Sequence, residues 1–215
     1  MPNVISELEK YAKKLVSNGL VVGAGGNLSV REGQDIYISP SGYDLQDIKS
    51  SDWVRVNIES GKVYSSLRPS SEIYMHLECY RKNERIKAVL HAHPTYTVAV
   101  SSSGMDIPPM FPDFPAMLKK IAYIDYIIPT TQILADAIAK EVKENQAVIM
   151  RNHGVLTVGS TMKEAFTYMQ LIEEAAKVFS IARMVGEPNI LTAKECEELR
   201  NLKAETYRSQ LLKEE

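Results

Sequence analysis

The chain has 215 residues, 45% of them hydrophobic and 24% charged, a length and balance that suit one soluble domain and exclude a disordered tract. A net charge of −2 leaves no broad basic field, which argues against a nucleic-acid partner held through phosphate neutralisation but leaves room for a small anionic substrate met by local groups. No apolar run approaches the roughly 18 residues of a membrane span, and the opening MPNVISELEKYAKKL is charged and amphipathic, unlike a secretory signal. The two cysteines, Cys79 and Cys196, form no CxxC pair or disulfide framework and are read as packed rather than catalytic. A single domain over residues 1–215, cytoplasmic and without a membrane partner, is the expectation.

Ile5, Leu8, Ala12, Leu15 and Val16 recur at helical spacing, and Asn18-Gly19 supplies a stop. The glycines of VVGAGGNLSVR then give way to alternating strands at Leu28–Arg31 and Asp35–Ser39, with Glu32-Gly33 as the turn. WVRVNIESGKVY alternates on both sides of Glu59-Ser60-Gly61 and predicts a second hairpin. PSSEIYMHLECYRKN opens a helix at Pro69 and its serines, which places Glu72 in the first turn. RIKAVLHAH reads as a strand, and PTYTVAVSSSG as a short helix stopped by Gly104.

MDIPPMFPDFP carries four prolines in eleven residues and predicts an irregular loop. Beyond it the pattern gives a strand at Tyr126–Ile128, a helix at Gln132–Glu144, and strands at Ala147–Arg151 and Val155–Val158 that sandwich NHG. A long helix follows from Met162 to Val185, ended by Gly186 and Pro188, and a charged helix from Ala193 to about Leu212 forms a C-terminal helical tail from about residue 192. Helices interleaved with hairpins predict an α/β domain whose mixed, largely antiparallel central sheet is covered by helices.

His91 and His93 stand two apart on a strand, so both project to one face with Cα atoms roughly 6.5–7 Å apart. That separation suits two ligands on one cation, and equally suits two satisfied histidines at a strand end. His153, beside a glycine between two strands, offers a third imidazole at a sheet end; a His₃ set with an open position is the catalytic arrangement for zinc. His76, inside the helix after PSSE, reads as a packed or hydrogen-bonded residue. Glu72 is open to two readings, a first-turn acid favoured by the helix dipole or cap, and a carboxylate aimed at a metal. GAGGNLS, SPSG and PSSE offer free amides and hydroxyls to an anion, but the glycine run lacks the GxGxxG form of a dinucleotide site.

Taken in order, GGNLSVR, ISPSG, PSSE, HAHP and NHG resemble the class II sugar-phosphate aldolases of the fuculose-1-phosphate aldolase and ribulose-5-phosphate 4-epimerase family, from about residue 5 to residue 185. The resemblance implies a zinc ion held by His91, His93 and His153, with Glu72 as the acid that can contact the metal and shuttles the proton. It implies a phosphate cradle from Gly26 and Asn27, Ser41 and Gly42, and Ser70 and Ser71. It further implies a homotetramer of four-fold type with active sites at subunit interfaces, acting on a ketose 1-phosphate such as L-fuculose 1-phosphate or 5-deoxyribulose 1-phosphate. Where fuculose-type enzymes carry a tyrosine after an IP segment, this chain has IPPMFPDFP, whose Asp113 is either a replacement polar group or a loop acid. Tyr207 corresponds to another family tyrosine that reaches a neighbouring site. A pentulose-5-phosphate 4-epimerase, a methylthioribulose-1-phosphate dehydratase and a sugar-acid phosphate decarboxylase share the fold, and a non-catalytic adaptor is the reading from a different class.

Overall fold

A computed structural model describes residues 4–214. The elements run α1 (Val4–Ser17), β1 (Asn27–Glu32), β2 (Asp35–Ile38), β3 (Val54–Asn57), α2 (Ile73–Lys82), β4 (Ala88–Ala92), α3 (Thr95–Ser102) and α4 (Asp113–Met117). They continue with β5 (Ile121–Ile124), α5 (Gln132–Glu141), β6 (Ala147–Met150), β7 (Gly154–Gly159), α6 (Met162–Val185), α7 (Ala193–Arg200) and α8 (Lys203–Leu211). Among the described residues no helix is long and apolar enough to cross a membrane.

The strands form one seven-stranded sheet in the order β3-β2-β1-β4-β7-β6-β5. Every neighbouring pair is antiparallel except β5 with β6, the mixed sheet that the alternation of hairpins and helices predicts. Period-two alternation divides the core between the two faces. Leu28, Val30, Ala88, Leu90 and Ala92 pack with α1, α3 and α6, whereas Ile36, Ile38, Val89, Val148 and Leu156 pack with α2 and α5. His91 alternates with Leu90, so it lies on the α2 side of the sheet.

Several boundaries follow from local chemistry. Helix α1 stops where Gly19 takes φ +66°, a left-handed conformation that costs glycine little. Helix α6 spans the predicted 162–185, starting at Thr161, whose hydroxyl accepts from Glu164 N.

Four expectations are corrected. The strand expected at Tyr126–Ile128 lies instead at Ile121–Ile124, because those four residues occupy all of β6 in parallel register; Tyr126 and Ile128 are exposed. The extended look of 126–128 comes from Pro129, which disfavours helix at the residue before it. The second hairpin is reduced to β3 and one isolated bridge, Val56 with Val63, since the returning Val63 and Tyr64 are exposed and have no core face to bury. The proline-rich loop ends in a helical turn, α4, and the C-terminal helix breaks into α7 and α8 around Asn201 and Leu202. Cys79 and Cys196 are free and buried, as expected of packed thiols.

Candidate active site and metal centre

Three chain segments meet at the ends of β1, β4 and β7. Asn27 opposes His91 across β1 and β4, and His91 opposes Leu156 across β4 and β7. Strand β4 ends at Ala92, so His93 stands one residue past the last ladder pair, where Pro94 has no N–H to extend the pairing. Immediately after it, Glu173 of α6 accepts from the Tyr96 and Thr97 amides at 2.9 Å each and from Thr97 Oγ1 at 2.8 Å, tying down the start of α3. His153 sits in the turn between β6 and β7, with His153 N donating to Met150 O at 3.1 Å and Asn152 taking φ +60°, which asparagine tolerates better than most residues.

Gly154 explains why a glycine follows that histidine. A Cβ there would lie 2.4 Å from Ala92 O, 2.7 Å from His93 Cδ2 and 3.1 Å from His91 Cε1, so only the missing side chain lets two imidazoles close over the strand.

Glu72 departs from its expected place in the first helical turn. It is the N-cap residue, φ −98° and ψ 20°, and its side chain makes no capping bond. The carboxylate is buried and turns toward the histidines: Oε2 is 3.0 Å from His91 Nε2, and Oε1 is 3.3 Å from His153 Nε2. His91 Nε2 is 2.9 Å from His93 Nε2, and one ligand atom from each of Glu72, His91, His93 and His153 lies within 4.8 Å of all the others. The reading of Glu72 as a cap is thereby set aside, and HxH, NHG and PSSE are brought to one point.

The proton positions decide what this cluster can hold. His91 Nδ1 is 3.0 Å from Val155 O, and a carbonyl only accepts, so Nδ1 carries a hydrogen and Nε2 is the nitrogen available to a metal. Glu72 Oε1 is buried without a hydrogen-bond partner. Burial by itself raises the Glu72 carboxyl, but positive charge at His91 and His153 more than offsets this and holds it well below the usual carboxylate range. Burial, reinforced by His91 and His153, lowers His93 to about 4, leaving its imidazole neutral at pH 7. An ionised carboxylate buried among imidazole nitrogens is unfavourable unless positive charge lies among them, and nitrogen and oxygen donors of this kind suit a divalent metal.

The three polar loops converge on the same point. Pro40 and Pro69 form an isolated bridge, flanked by Ser41 N donating to Arg68 O at 2.9 Å and Ser70 N donating to Ser39 O at 3.0 Å, so SPSG and PSSE run side by side. GGN joins them through Asn27 Nδ2, which donates to Glu72 Oε2 at 3.1 Å. Gly26 takes φ +75° with a would-be Cβ 2.9 Å from His91 O, a turn that packs directly on the histidine strand.

The profile of the class II aldolase and adducin N-terminal domain matches residues 6–180. The chain belongs to the class II aldolase family. A 5-deoxy-D-ribulose 1-phosphate aldolase from Bacillus thuringiensis serovar kurstaki is 34% identical over 195 residues, covering 90% of this chain and 92% of that one. An L-fuculose phosphate aldolase from Methanocaldococcus jannaschii is 34% identical over 169 residues, 79% and 91% of the two chains. A solved L-fuculose 1-phosphate aldolase superposes with a TM-score of 0.86 at 35% identity, covering 97% of each chain. This class II aldolase therefore has the fold of that solved enzyme, and its own chain forms a His₃Glu cluster that fits a divalent metal.

Two residues of the class II aldolase reading stand elsewhere. Asp113 opens α4 and its carboxylate accepts from Arg208 Nη1 of α8 at 2.8 Å. Tyr207, beside that arginine on α8, is 61% exposed. The resemblance placed Asn27 in the phosphate cradle and sequence reasoning missed its inward contacts: its amide is engaged by Glu72 and by His76 Nε2 at 2.6 Å and so faces the protein interior. The histidine four residues after Glu72 was the available clue, since helical spacing puts residues i and i+4 on one face.

Proposed function

We propose that this class II aldolase cleaves a ketose 1-phosphate, of the L-fuculose 1-phosphate or 5-deoxyribulose 1-phosphate type, to dihydroxyacetone phosphate and an aldehyde. The observation that carries the reading is the buried Glu72 carboxylate, whose Oε1 has no hydrogen-bond partner, set among three imidazoles beside three polar loops. His91, His93 and His153 would hold the metal, taken as zinc because neutral imidazoles are its preferred nitrogen donors. When bound, zinc supplies Lewis-acid stabilisation for the negative charge that develops on the substrate oxygens, a contribution of several kcal/mol.

The remaining chemistry belongs to the chain. The phosphate is seated by Gly26, Ser41, Gly42, Ser70 and Ser71; Ser71 and Gly42 are exposed, and Gly42 at φ +80° leaves its amide unobstructed. Asn27 contributes by holding this cradle to Glu72, its side chain being engaged inward. In cleavage the C4 hydroxyl releases its proton to solvent at the aldehyde end, the C3–C4 electron pair moves toward the C2 carbonyl, and the Glu72 carboxylate takes up one proton from solvent and hands it to C3. In the synthetic direction Glu72 takes that proton away. Asp113 and Tyr207 are assigned to the aldehyde end, on helices joined by the Arg208 bridge.

A cytoplasmic homotetramer with active sites at subunit interfaces completes the proposal. Supporting it, Met184 and Val185 at the end of α6 are 85% and 84% exposed, apolar surface of the kind a subunit contact covers. The test is a panel of ketose phosphates incubated with the zinc-loaded enzyme, with product identification. Dihydroxyacetone phosphate plus a free aldehyde is the expected result. An epimerised pentulose, loss of water, release of carbon dioxide, or no turnover at all would overturn it.

A further inference from the structure

Behind Glu72, on the side away from the imidazoles, runs a row of buried polar side chains of which the reaction above uses only Asn27. Asn27 Nδ2 donates to Glu72 Oε2 at 3.1 Å; Asn27 Oδ1 meets His76 Nε2 at 2.6 Å; His76 Nδ1 meets Ser29 Oγ at 2.7 Å; and Ser29 Oγ meets Tyr80 Oη at 2.8 Å. Tyr80 Oη also donates to Ser29 O at 2.9 Å. His76 and Ser29 are wholly inaccessible to solvent, in the seam where α2 packs on β1.

The row admits one arrangement of protons. An ionised carboxylate only accepts, so Asn27 must turn its NH₂ to Glu72 and its carbonyl oxygen to His76. That oxygen also only accepts, so His76 carries its hydrogen on Nε2. A neutral imidazole then has its lone pair on Nδ1, and Ser29 must donate to it, leaving the single hydrogen of Tyr80 to be shared between Ser29 Oγ and Ser29 O. Reversing any member would place two acceptors or two donors face to face in a buried space, so the polarity set by Glu72 runs back to Tyr80.

We propose that His76 is a positioning residue that acts through Asn27, holding Oε2 of Glu72 as a fixed acceptor and thereby leaving Oε1 as the oxygen that exchanges the proton with substrate. The amide cannot rotate to offer its carbonyl to Glu72 without breaking its bond to His76. The carboxylate therefore keeps one orientation while its charge changes through the reaction. This inference rests on Glu72 as the proton carrier of the proposed aldolase reaction.

Two measurements test it. In ¹⁵N-histidine spectra of the metal-free protein, His76 is expected as the neutral Nε2–H tautomer; an Nδ1–H tautomer overturns the proposal. This readout uses the unsubstituted chain, so it stands even if a His76 variant does not fold. In kinetics, His76→Leu is expected to lower kcat roughly 10- to 100-fold, with KM within about threefold and zinc content unchanged, and His76→Gln, which keeps a donor and an acceptor, to recover most of the loss. In a Glu72→Gln background, His76→Leu is expected to cost nothing further, because its route of action is already gone. An unchanged kcat for His76→Leu, or an equal loss in both backgrounds, overturns the inference while leaving the role of Glu72 intact. Full activity in Glu72→Gln alone instead overturns the reading of Glu72 beneath it.

Discussion

Glu72 Oε2 lies 3.0 Å from His91 Nε2, in a buried site where desolvation raises the carboxyl and positive charge at His91 and His153 is what holds it ionised. A carboxylate kept ionised among three imidazoles in a buried site is a standing demand for positive charge. The predictions below follow from that demand and from the scaffold that enforces it.

Divalent metal stabilises the fold. At zinc about a hundredfold above its Kd the gain is about 2.7 kcal/mol, a rise in Tm of roughly 5–11 °C for a chain of this size. Calorimetry before and after chelation measures it, and His153→Ala is expected to abolish the shift. A Tm indifferent to both metal and chelator would count against the site.

Gly154→Ala should injure the same site from below. The added methyl falls 2.4 Å from Ala92 O and 2.7 Å from His93 Cδ2, so β4 and β7 must separate where the imidazoles converge. Overpacking of this kind costs about 1–3 kcal/mol. Urea titration is expected to show that loss together with weaker zinc binding by calorimetric titration, whereas Gly33→Ala, whose Cβ would meet no atom within 4 Å, should leave zinc binding unchanged.

Glu72→Gln removes the proton carrier while keeping the shape. Exchange of the C3 proton of dihydroxyacetone phosphate with solvent, which needs no aldehyde, is expected to slow by about 10²–10⁴. Proton NMR in deuterated water follows it directly. Exchange at the unsubstituted rate would remove Glu72 from the chemistry.

Asp113→Asn and Tyr207→Phe should part company with Glu72→Gln in that same assay. Placed at the aldehyde end, they are expected to leave C3 exchange untouched and to lower kcat/KM for aldol addition by roughly 10²-fold. Arg208→Ala serves as the control for the helix contact alone: the pair with Asp113 is half-exposed on both sides, so the Tm should change by no more than a few degrees. If Asp113→Asn merely copies Arg208→Ala, the carboxylate is a clamp for α8 and has no part in turnover.

Stability of the metal-free protein should fall as pH is lowered below neutrality. Desolvation lowers His76 from 6.5 to about 3, so between those values the unfolded chain binds a proton that the folded chain does not. More protons on the unfolded state means stability rises with pH across that window and is lost on acidification. From pH 6.5 to 5 this side chain alone accounts for about 2 kcal/mol, and His93, lowered to about 4, adds in the same direction. Urea midpoints at the two pH values, taken with chelator present, provide the check; equal midpoints would mean that neither histidine is held neutral.

The lengths of α1 and α6 were legible in the sequence because helix stops are local: Asn18-Gly19 and Gly186 end the periodic pattern through backbone conformations that depend on neighbouring residues only. The shift of the fifth strand from 126–128 to 121–124 was not legible, because its position depends on the four-residue length of β6, more than twenty residues away in the chain. The donors of the site divide in the same way. HxH at a strand end, a glycine after the third histidine and an acid at a helix start are patterns of residue type and spacing, and these the chain states outright. Which way Glu72 turns is different. A residue at a helix N-terminus is a cap by default, and only the register that sets Asn27 opposite His91, with α2 laid across β1, gives its carboxylate an amide on one side and three imidazoles on the other. The sequence by itself determined the chemical types and the faces they occupy, through backbone periodicity. Only the tertiary structure decided where the lone pairs point, because that depends on antiparallel register and helix packing between segments as far apart as Asn27 and His153.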